Sequence, residues 1–174
     1  YATELVTQIS NLNKGIYLNG IAADHKANFC IGVAGYPEKH IEAPSLTSDL
    51  ARLKEKVDAG ADYVVTQMFF DNQKYFEFVK KAKEAGINVP IIPGIKPIAI
   101  KKHLNLLSQA FKIDFPEELI KAVESCKNNN EVKQVGIEWA IQQSKELKAA
   151  GAPVLHYYSM GKSDNIVKVI SEVF

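Results

Sequence analysis

One repeated pattern limits the fold more than any other feature of the sequence. A helix-forming segment, a glycine turn and an apolar strand follow one another three times, with turns at Ala59-Gly60-Ala61, Ala85-Gly86-Ile87 and Ala150-Gly151-Ala152. Glycine readily adopts the left-handed backbone that ends a helix, which other residues adopt only at a cost. Helices that lead through short turns into apolar strands are typical of α/β proteins.

Apolar periodicity and capping residues predict where these elements lie. The predicted strands cover residues 29–35, 63–69, 89–95 and 154–158. The predicted helices cover residues 4–12, 50–58, 75–84, 98–111, 116–127 and 131–149, with one more after Ser163. Asn128-Asn129-Asn130 is predicted to be a turn.

The strands are continuous apolar runs, which indicates a parallel sheet whose two faces are both buried. Two architectures remain open at this point, an open doubly wound sheet and part of a (β/α)8 TIM barrel. No G-x-G-x-x-G follows a strand, which weakens the nucleotide-binding open sheet. A complete barrel needs eight strands and about 200 residues or more. We therefore predict an α/β fold of about four βα units, one domain over residues 1–174 that enters a TIM barrel in its middle.

Composition excludes several classes of partner. The 174 residues carry a net charge of +1, which gives no reason to expect nucleic acid or an anionic membrane. No apolar run is long enough to span a bilayer. The two cysteines, Cys30 and Cys126, match no metal-ligand spacing and suit single thiols in a reducing cytoplasm. We expect a cytoplasmic protein without a bound metal.

Active sites of such barrels lie at the carboxyl ends of the strands, and this rule singles out a few polar residues. Gln67 ends an apolar strand, and its amide can both donate to and accept from a planar heterocycle. The plain alternative is an amide bonded to neighbouring backbone. His40 follows a strand, and Asp49 and Lys56 lie seven residues apart on one helix face. The alternative for these three is ordinary solvated charge.

Four segments at these strand ends match a known family in the right order. Residues 34–40 (AGYPEKH) resemble its loop A-x-Y-P-E-x-H, and residues 92–97 (IPGIKP) resemble I-P-G-I-x-P. Residues 56–61 with 66–71 resemble K-x-x-A-G-A followed by T-Q-x-F-F-D. Residues 156–162 (HYYSMGK) are similar to a closing H-x-Y-[ST]-x-N-R strand. On these motifs the chain resembles the methylenetetrahydrofolate reductase family, over nearly its whole length.

The resemblance implies the C-terminal half of a catalytic (β/α)8 barrel that binds FAD. It implies a ping-pong oxidoreductase in one-carbon and methionine metabolism. NADH or NADPH would pass a hydride through the flavin to 5,10-methylenetetrahydrofolate and yield 5-methyltetrahydrofolate. We expect a homo-oligomer. In the family the catalytic acid comes from the first four strands, which these residues do not match, so no catalytic residue is assigned here, and we expect these residues alone to be inactive.

Residue by residue, the resemblance implies two sets of ligand contacts. The FAD contacts would be Ala2, Tyr36, His40, Ala43, Asp49 and Lys56. The contacts with folate and nicotinamide would be Gln67, His103 and Lys162.

Two features depart from the family pattern. Lys162 stands where many members have Arg, and Gly161 where they have Asn, so the bidentate fork for a carboxylate is lost. These residues do not include the regulatory C-terminal domain of eukaryotic members, so we expect a bacterial-type enzyme. Two other readings stay open: another pterin- or phosphate-binding TIM-barrel enzyme, and an inactive half-barrel that serves as a binding or assembly module.

Overall fold

The computed structural model describes residues 1–22 and 24–174. Within these ranges, the elements in chain order are α1 (Ala2–Asn13), β1 (Gly32–Gly35), α2 (Leu46–Asp58), β2 (Tyr63–Met68), α3 (Asn72–Glu84), β3 (Ile91–Ile95), α4 (His103–Phe111), α5 (Glu117–Ser125), α6 (Asn129–Ala149), β4 (His156–Tyr157) and α7 (Asp164–Val173). Among the described helices, none has an apolar stretch that could cross a membrane.

The four strands form one parallel sheet in the order β1-β2-β3-β4. Gly32 pairs with Tyr63 and Gly94 pairs with His156, while an irregularity lies between Val65 and Met68. Neighbours in the sheet are therefore also neighbours in the chain. This order is that of successive barrel units, whereas a doubly wound sheet reverses its order at a switch point.

A single helical layer covers one face of this sheet. The main core joins side chains of β1, β2 and β3 to those of α1, α2, α3, α6 and α7. Val64, Phe78 and Leu147 lie in its centre with at most 2% of their surface exposed. Helices on one face only, over strands in sequential order, confirm the α/β barrel-type arrangement and not the doubly wound one.

A second, smaller core lies beyond the end of β3. Ile98, Leu119, Val123 and Val132 are almost wholly buried there, between the chain after β3 and the helices α4, α5 and α6. Gly136 permits this packing, because a Cβ at that position would lie 1.9 Å from the carbonyl oxygen of Ile98. The additional helices are thus fixed beside the carboxyl end of β3.

The prediction that both faces of the sheet are buried is wrong for the described residues. Side chains along β2 alternate, with Val64 and Thr66 buried and Val65 and Gln67 partly exposed. The alternation arises because helices pack on one face, and we call the other face the open face. Continuous apolar sequence cannot reveal which of the two faces has a cover within a given stretch of chain.

The apolar residues of the strands divide between the two faces of the sheet. Val33 and Leu155 pack into the helix-side core. Val65 and Ile92 are partly exposed, and their strand positions alternate with the buried residues Val64 and Ile91. The two-residue period of a strand does not show which positions face the helices, so sequence alone could not assign these residues to a face.

Several predicted boundaries also needed correction. The turn predicted at Asn128-Asn129-Asn130 is instead the start of α6, where the Asn128 side chain accepts hydrogen bonds from the N–H groups of Asn130 and Glu131. Asparagine favours turns and helix N-caps for the same reason, so sequence alone did not separate the two. The last strand is shorter than predicted and covers only His156–Tyr157.

Candidate functional site

The carboxyl ends of the four parallel strands meet at one edge of the sheet, and the loops there carry almost all of the predicted site residues. The β1–α2 loop holds residues 36–45, and the chain after β3 leads to His103 at the start of α4. The chain after β4 holds Tyr158 and Lys162. We call this side of the sheet the carboxyl edge.

The β1–α2 loop is held by hydrogen bonds from its own side chains. Lys39 adopts a positive φ of 87°, and its Nζ donates to the carbonyl oxygens of His40 and Ala43. The backbone N–H of His40 donates to Asp49 Oδ2 at 2.8 Å, which ties the loop to the first turn of α2. Ser45 caps the same helix by accepting from the N–H of Ser48.

Five of the six predicted FAD residues lie in or beside this loop. The rings of Tyr36 and His40 meet edge to face with centroids 4.6 Å apart. Lys56 Nζ donates to the carbonyl oxygen of Ala34 at 2.7 Å, so the ammonium lies where β1 ends. Burial lowers the pKa of Lys56, while the nearby Asp49 carboxylate raises it. The interpretation of Asp49 and Lys56 as merely solvated charges does not describe these contacts.

Ala2, the sixth predicted FAD residue, lies apart from the loop. It is exposed at the start of α1. Ser10, further along α1, lies against Gly60, where α2 has ended. The two helices therefore run in the same direction, and Ala2 lies at the carboxyl edge. In the described ranges, no hydrogen bond joins Ala2 to the other five.

Gln67 lies on the open face near the carboxyl end of β2. Its Oε1 accepts a hydrogen bond from the N–H of Met68 at 3.0 Å, as the plain alternative expected. Its Nε2 makes no hydrogen bond within the described ranges, so two amide donors remain available. Beside it, the hydroxyl of Tyr158 donates to the carbonyl oxygen of Thr66 at 2.9 Å and ties the end of β4 to β2.

His103 and Lys162, which are distant in sequence, line one cavity of about 560 Å³. The cavity lies between the ends of β3 and β4 and the starts of α4, α6 and α7, and we call it the rim cavity. His103 Nδ1 accepts from the N–H of Ala99 at 3.2 Å. Burial lowers the pKa of His103, and the charge of Lys96 lowers it further. A cavity of similar size between α3, α5 and α6 contains none of the predicted residues.

Three residues of this edge were missed by sequence reasoning. Lys96 and Tyr158 both line the rim cavity, and the Tyr158 hydroxyl joins the end of β4 to β2. Glu38 accepts a hydrogen bond from the N–H of Asp114 at 2.9 Å, while its other oxygen is buried without a partner in the described part of the chain. Each lies within one of the family motifs, but only the folded structure shows what it contacts. In residues 1–22 and 24–174, no group of His, Cys, Asp or Glu is placed to hold a metal.

A family model for methylenetetrahydrofolate reductase matches residues 1–173. The chain belongs to the methylenetetrahydrofolate reductase family. It is 40% identical over 163 residues to methylenetetrahydrofolate reductase (NADH) 1 of Arabidopsis thaliana, and the match covers 88% of this chain. It is 37% identical over 139 residues to 5,10-methylenetetrahydrofolate reductase of Salmonella typhimurium, and that match covers 79% of this chain. Family membership excludes a coincidental likeness to another barrel enzyme.

The matches cover only part of these relatives. The chain spans 28% of the Arabidopsis protein and 47% of the Salmonella protein. Identity to the plant and bacterial members is similar, so the bacterial type stays a prediction.

A solved structure from Clostridium thermocellum shares the fold with a TM-score of 0.53 at 19% identity, over 83% of this chain and 52% of that one. That structure is of an uncharacterized protein that binds two copies of 5-methyl-5,6,7,8-tetrahydrofolic acid.

Glu38 predicts a pH dependence of stability. Burial raises the pKa of Glu38 to about 7, above its usual value of 4.5. The folded state therefore holds this proton more tightly than the unfolded state, so its contribution to stability is present below pH 4.5 and is lost as pH rises through 7. Glu38→Gln retains an acceptor for Asp114 N–H and should be more stable than the wild type at pH 8, with less difference at pH 5.

Urea unfolding at both pH values measures this difference. Glu42→Gln, which removes an exposed carboxylate of the same loop, serves as the control and should behave like the wild type. If Glu38→Gln and the wild type lose stability equally between pH 5 and pH 8, the account of Glu38 is wrong.

Proposed function

We propose that these residues form the flavin- and folate-binding half of a methylenetetrahydrofolate reductase. The overall reaction is reduction of 5,10-methylenetetrahydrofolate by NADH or NADPH and a proton, giving 5-methyltetrahydrofolate and the oxidised nicotinamide. One observation carries the proposal: the β1–α2 loop, Gln67, and the His103 and Lys162 of the rim cavity, which are far apart in sequence, lie along one carboxyl edge in a member of this family.

The β1–α2 loop has the chemistry that FAD requires. A pyrophosphate needs a cation and free N–H groups, and Lys56 together with the start of α2 offers both at the end of β1. The Tyr36 and His40 rings provide flat apolar surface beside them. Asp49 does not bind the anion in this proposal; it positions His40 through the backbone N–H. The residues present therefore fit the cofactor.

When bound, a flavin accepts a hydride from the nicotinamide and delivers it to the methylene carbon of the folate. The described residues bind and orient the reactants. Gln67 is anchored by Oε1 to the N–H of Met68, which fixes the amide plane and leaves its Nε2 donors facing the open side of the sheet. An amide held in this way can orient two planar ligands in turn, because both present acceptors at their edges.

The folate as substrate has support from two sides. The named relatives are methylenetetrahydrofolate reductases, and the Clostridium protein of the same fold binds 5-methyl-5,6,7,8-tetrahydrofolic acid. The nicotinamide is less defined, since the Arabidopsis relative is named for NADH and the Caenorhabditis elegans relative for NADPH. Its identity and a homo-oligomeric state remain predictions.

The competing function is a half-barrel that binds or assembles without activity. The open face favours it for these residues in isolation, because Val65 and Ile92 are partly exposed where a closed barrel would bury them. We propose that catalysis requires the remaining strands of the barrel to cover this face. Each test of function below therefore uses the full-length gene product.

Gln67 variants test the proposed function. Gln67→Ala removes the oriented amide. We expect the activation free energy for reoxidation of the flavin by folate to rise by about 1–3 kcal/mol. Gln67→Glu should affect the two half-reactions unequally, because an ionised carboxylate accepts but cannot donate. Anaerobic stopped-flow spectrometry measures flavin reduction by nicotinamide and reoxidation by folate separately.

Gln73→Ala, at an exposed glutamine of α3, is the matched control and should keep both rates. Wild-type rates in both half-reactions for both Gln67 variants would contradict the role of Gln67. A flavin-free or redox-inactive wild-type gene product would contradict the function itself.

Lys56 and Asp49 variants test the flavin loop. Lys56→Ala removes the cation beside β1 and should release flavin on dilution, whereas Lys54→Ala on the same helix, which breaks only the pair with Asp58, should retain it. Asp49→Ala should also release flavin, and Asp49→Asn should retain more because Asn can still accept from His40 N–H. The flavin-to-protein ratio after gel filtration measures the loss. Equal flavin-to-protein ratios in all four variants would show that Lys56 and Asp49 are ordinary surface residues.

A further inference from the structure

The carbonyl groups that follow Gln67 lie beyond the regular part of the sheet. The pairing of β2 with β3 is irregular between Val65 and Met68, and β2 ends at Met68. In the described ranges, no backbone N–H donates to the carbonyl oxygen of Phe69 or of Phe70. Both residues are buried, with 0% and 2% of their surface exposed. Buried carbonyl groups need a hydrogen-bond donor, so side chains from elsewhere in the fold must supply one.

Two side chains of α6 supply these donors. Gln143 Nε2 donates to the carbonyl oxygen of Phe69 at 2.9 Å. Trp139 Nε1, one helical turn earlier on the same side of α6, donates to the carbonyl oxygen of Phe70 at 3.0 Å. Gln143 is itself buried, and a buried amide costs stability unless it is hydrogen-bonded. The bond to Phe69 therefore explains a glutamine at a position that an apolar residue could fill.

The backbone before Gln67 is held from another side. The hydroxyl of Tyr158 donates to the carbonyl oxygen of Thr66 at 2.9 Å. The hydroxyl of Thr66 accepts from the N–H of Gly94, also at 2.9 Å. Gln143 holds the backbone that follows, so Gln67 lies between two fixed stretches of chain.

The Gln67 amide must follow any movement of this backbone. Its Oε1 accepts from the N–H of Met68, so the amide is bound to the adjacent peptide group. Phe69 is the next residue, and its carbonyl is the one that Gln143 holds. Gln143 belongs to the helical layer, whereas Gln67 lies on the open face. Gln143 therefore acts through the backbone and not by contact with a ligand on the open face.

We propose that Gln143 is a positioning residue, which together with Trp139 fixes the end of β2 and thereby orients the Gln67 amide toward its ligands. This assignment rests on the proposed function, in which that amide meets the folate and the nicotinamide in turn. An amide that moves spends only part of its time in the productive geometry, and the reaction slows accordingly. The motif T-Q-x-F-F-D contains Gln67 but neither residue of α6, so the assignment extends the site beyond the motif.

A double-mutant cycle with Gln67 separates positioning from a merely structural role. Gln143→Met retains the length of the side chain and removes the donor. In the flavin-loaded full-length gene product, we expect it to slow flavin reduction by nicotinamide and reoxidation by folate by about 3- to 10-fold, the range for one neutral hydrogen bond. In the Gln67→Ala background, the same change should have no further effect on either rate, because the amide that it positions is already absent.

Two further variants complete the cycle. Gln142→Met makes the same substitution at the neighbouring exposed glutamine, where it breaks only a bond to Glu146, and should keep wild-type rates. Trp139→Phe retains an aromatic ring without the N–H, and should show the same dependence on Gln67 even if Gln143→Met does not fold. A loss of rate that is equal in the wild-type and Gln67→Ala backgrounds would show a structural role and would overturn the assignment.

Hydrogen–deuterium exchange of the same gene product gives a readout independent of turnover. Gln143→Met should speed exchange of the Met68 amide, which the Gln67 side chain protects, and leave exchange in β1 unchanged. Faster exchange at Met68 in a gene product without reductase activity would overturn the proposed function and leave the positioning of Gln67 standing. Active enzyme in which Gln143→Met changes neither the half-reaction rates nor exchange at Met68 would overturn the assignment and leave the function standing.

Discussion

The packing of helices against a single face of the parallel sheet determines where every other feature lies. Val64, Phe78 and Leu147 lie at the centre of the contact between strands and helices. With the helices on one side, each strand enters from the same edge and leaves at the other, so all loops that follow strands gather at the carboxyl edge. The other face remains open, and Gln67 points its amide toward it. The same packing thus creates both the site and the surface that further strands would cover.

Short-range hydrogen bonds then fix the site on this framework. Asp49 holds the backbone of His40, and Lys56 reaches the end of β1. Tyr158 ties β4 to β2 across β3, close to Gly94, where a Cβ would lie 2.3 Å from the carbonyl oxygen of Thr66. Rigid elements therefore hold the ligand-facing groups, which is what orientation of a bound flavin and folate requires.

Sequence reasoning predicted the elements and the edge because both depend on local patterns. Glycine turns after helices identified three strands and an apolar run identified the fourth, and the barrel rule placed Tyr36, His40 and Gln67 at their ends. It failed where the outcome depends on distant partners. Asn128 caps a helix instead of forming a turn, the strands are covered by helices on one face instead of both, and the contact of Glu38 with the distant Asp114 is visible only in the fold. Such facts follow from three-dimensional neighbours, which spacing along the chain does not encode.

Hydrogen–deuterium exchange of the full-length gene product, with and without bound flavin and 5-methyltetrahydrofolate, tests the location of the site most directly. The account predicts that ligands slow exchange of backbone amides in residues 36–49, 67–70, 96–107 and 158–166, at the carboxyl edge. Exchange in residues 59–62, 85–90 and 150–153, at the opposite edge, should not change. Protection confined to the opposite edge, or to the outer surface around α3 and α5, would contradict the account.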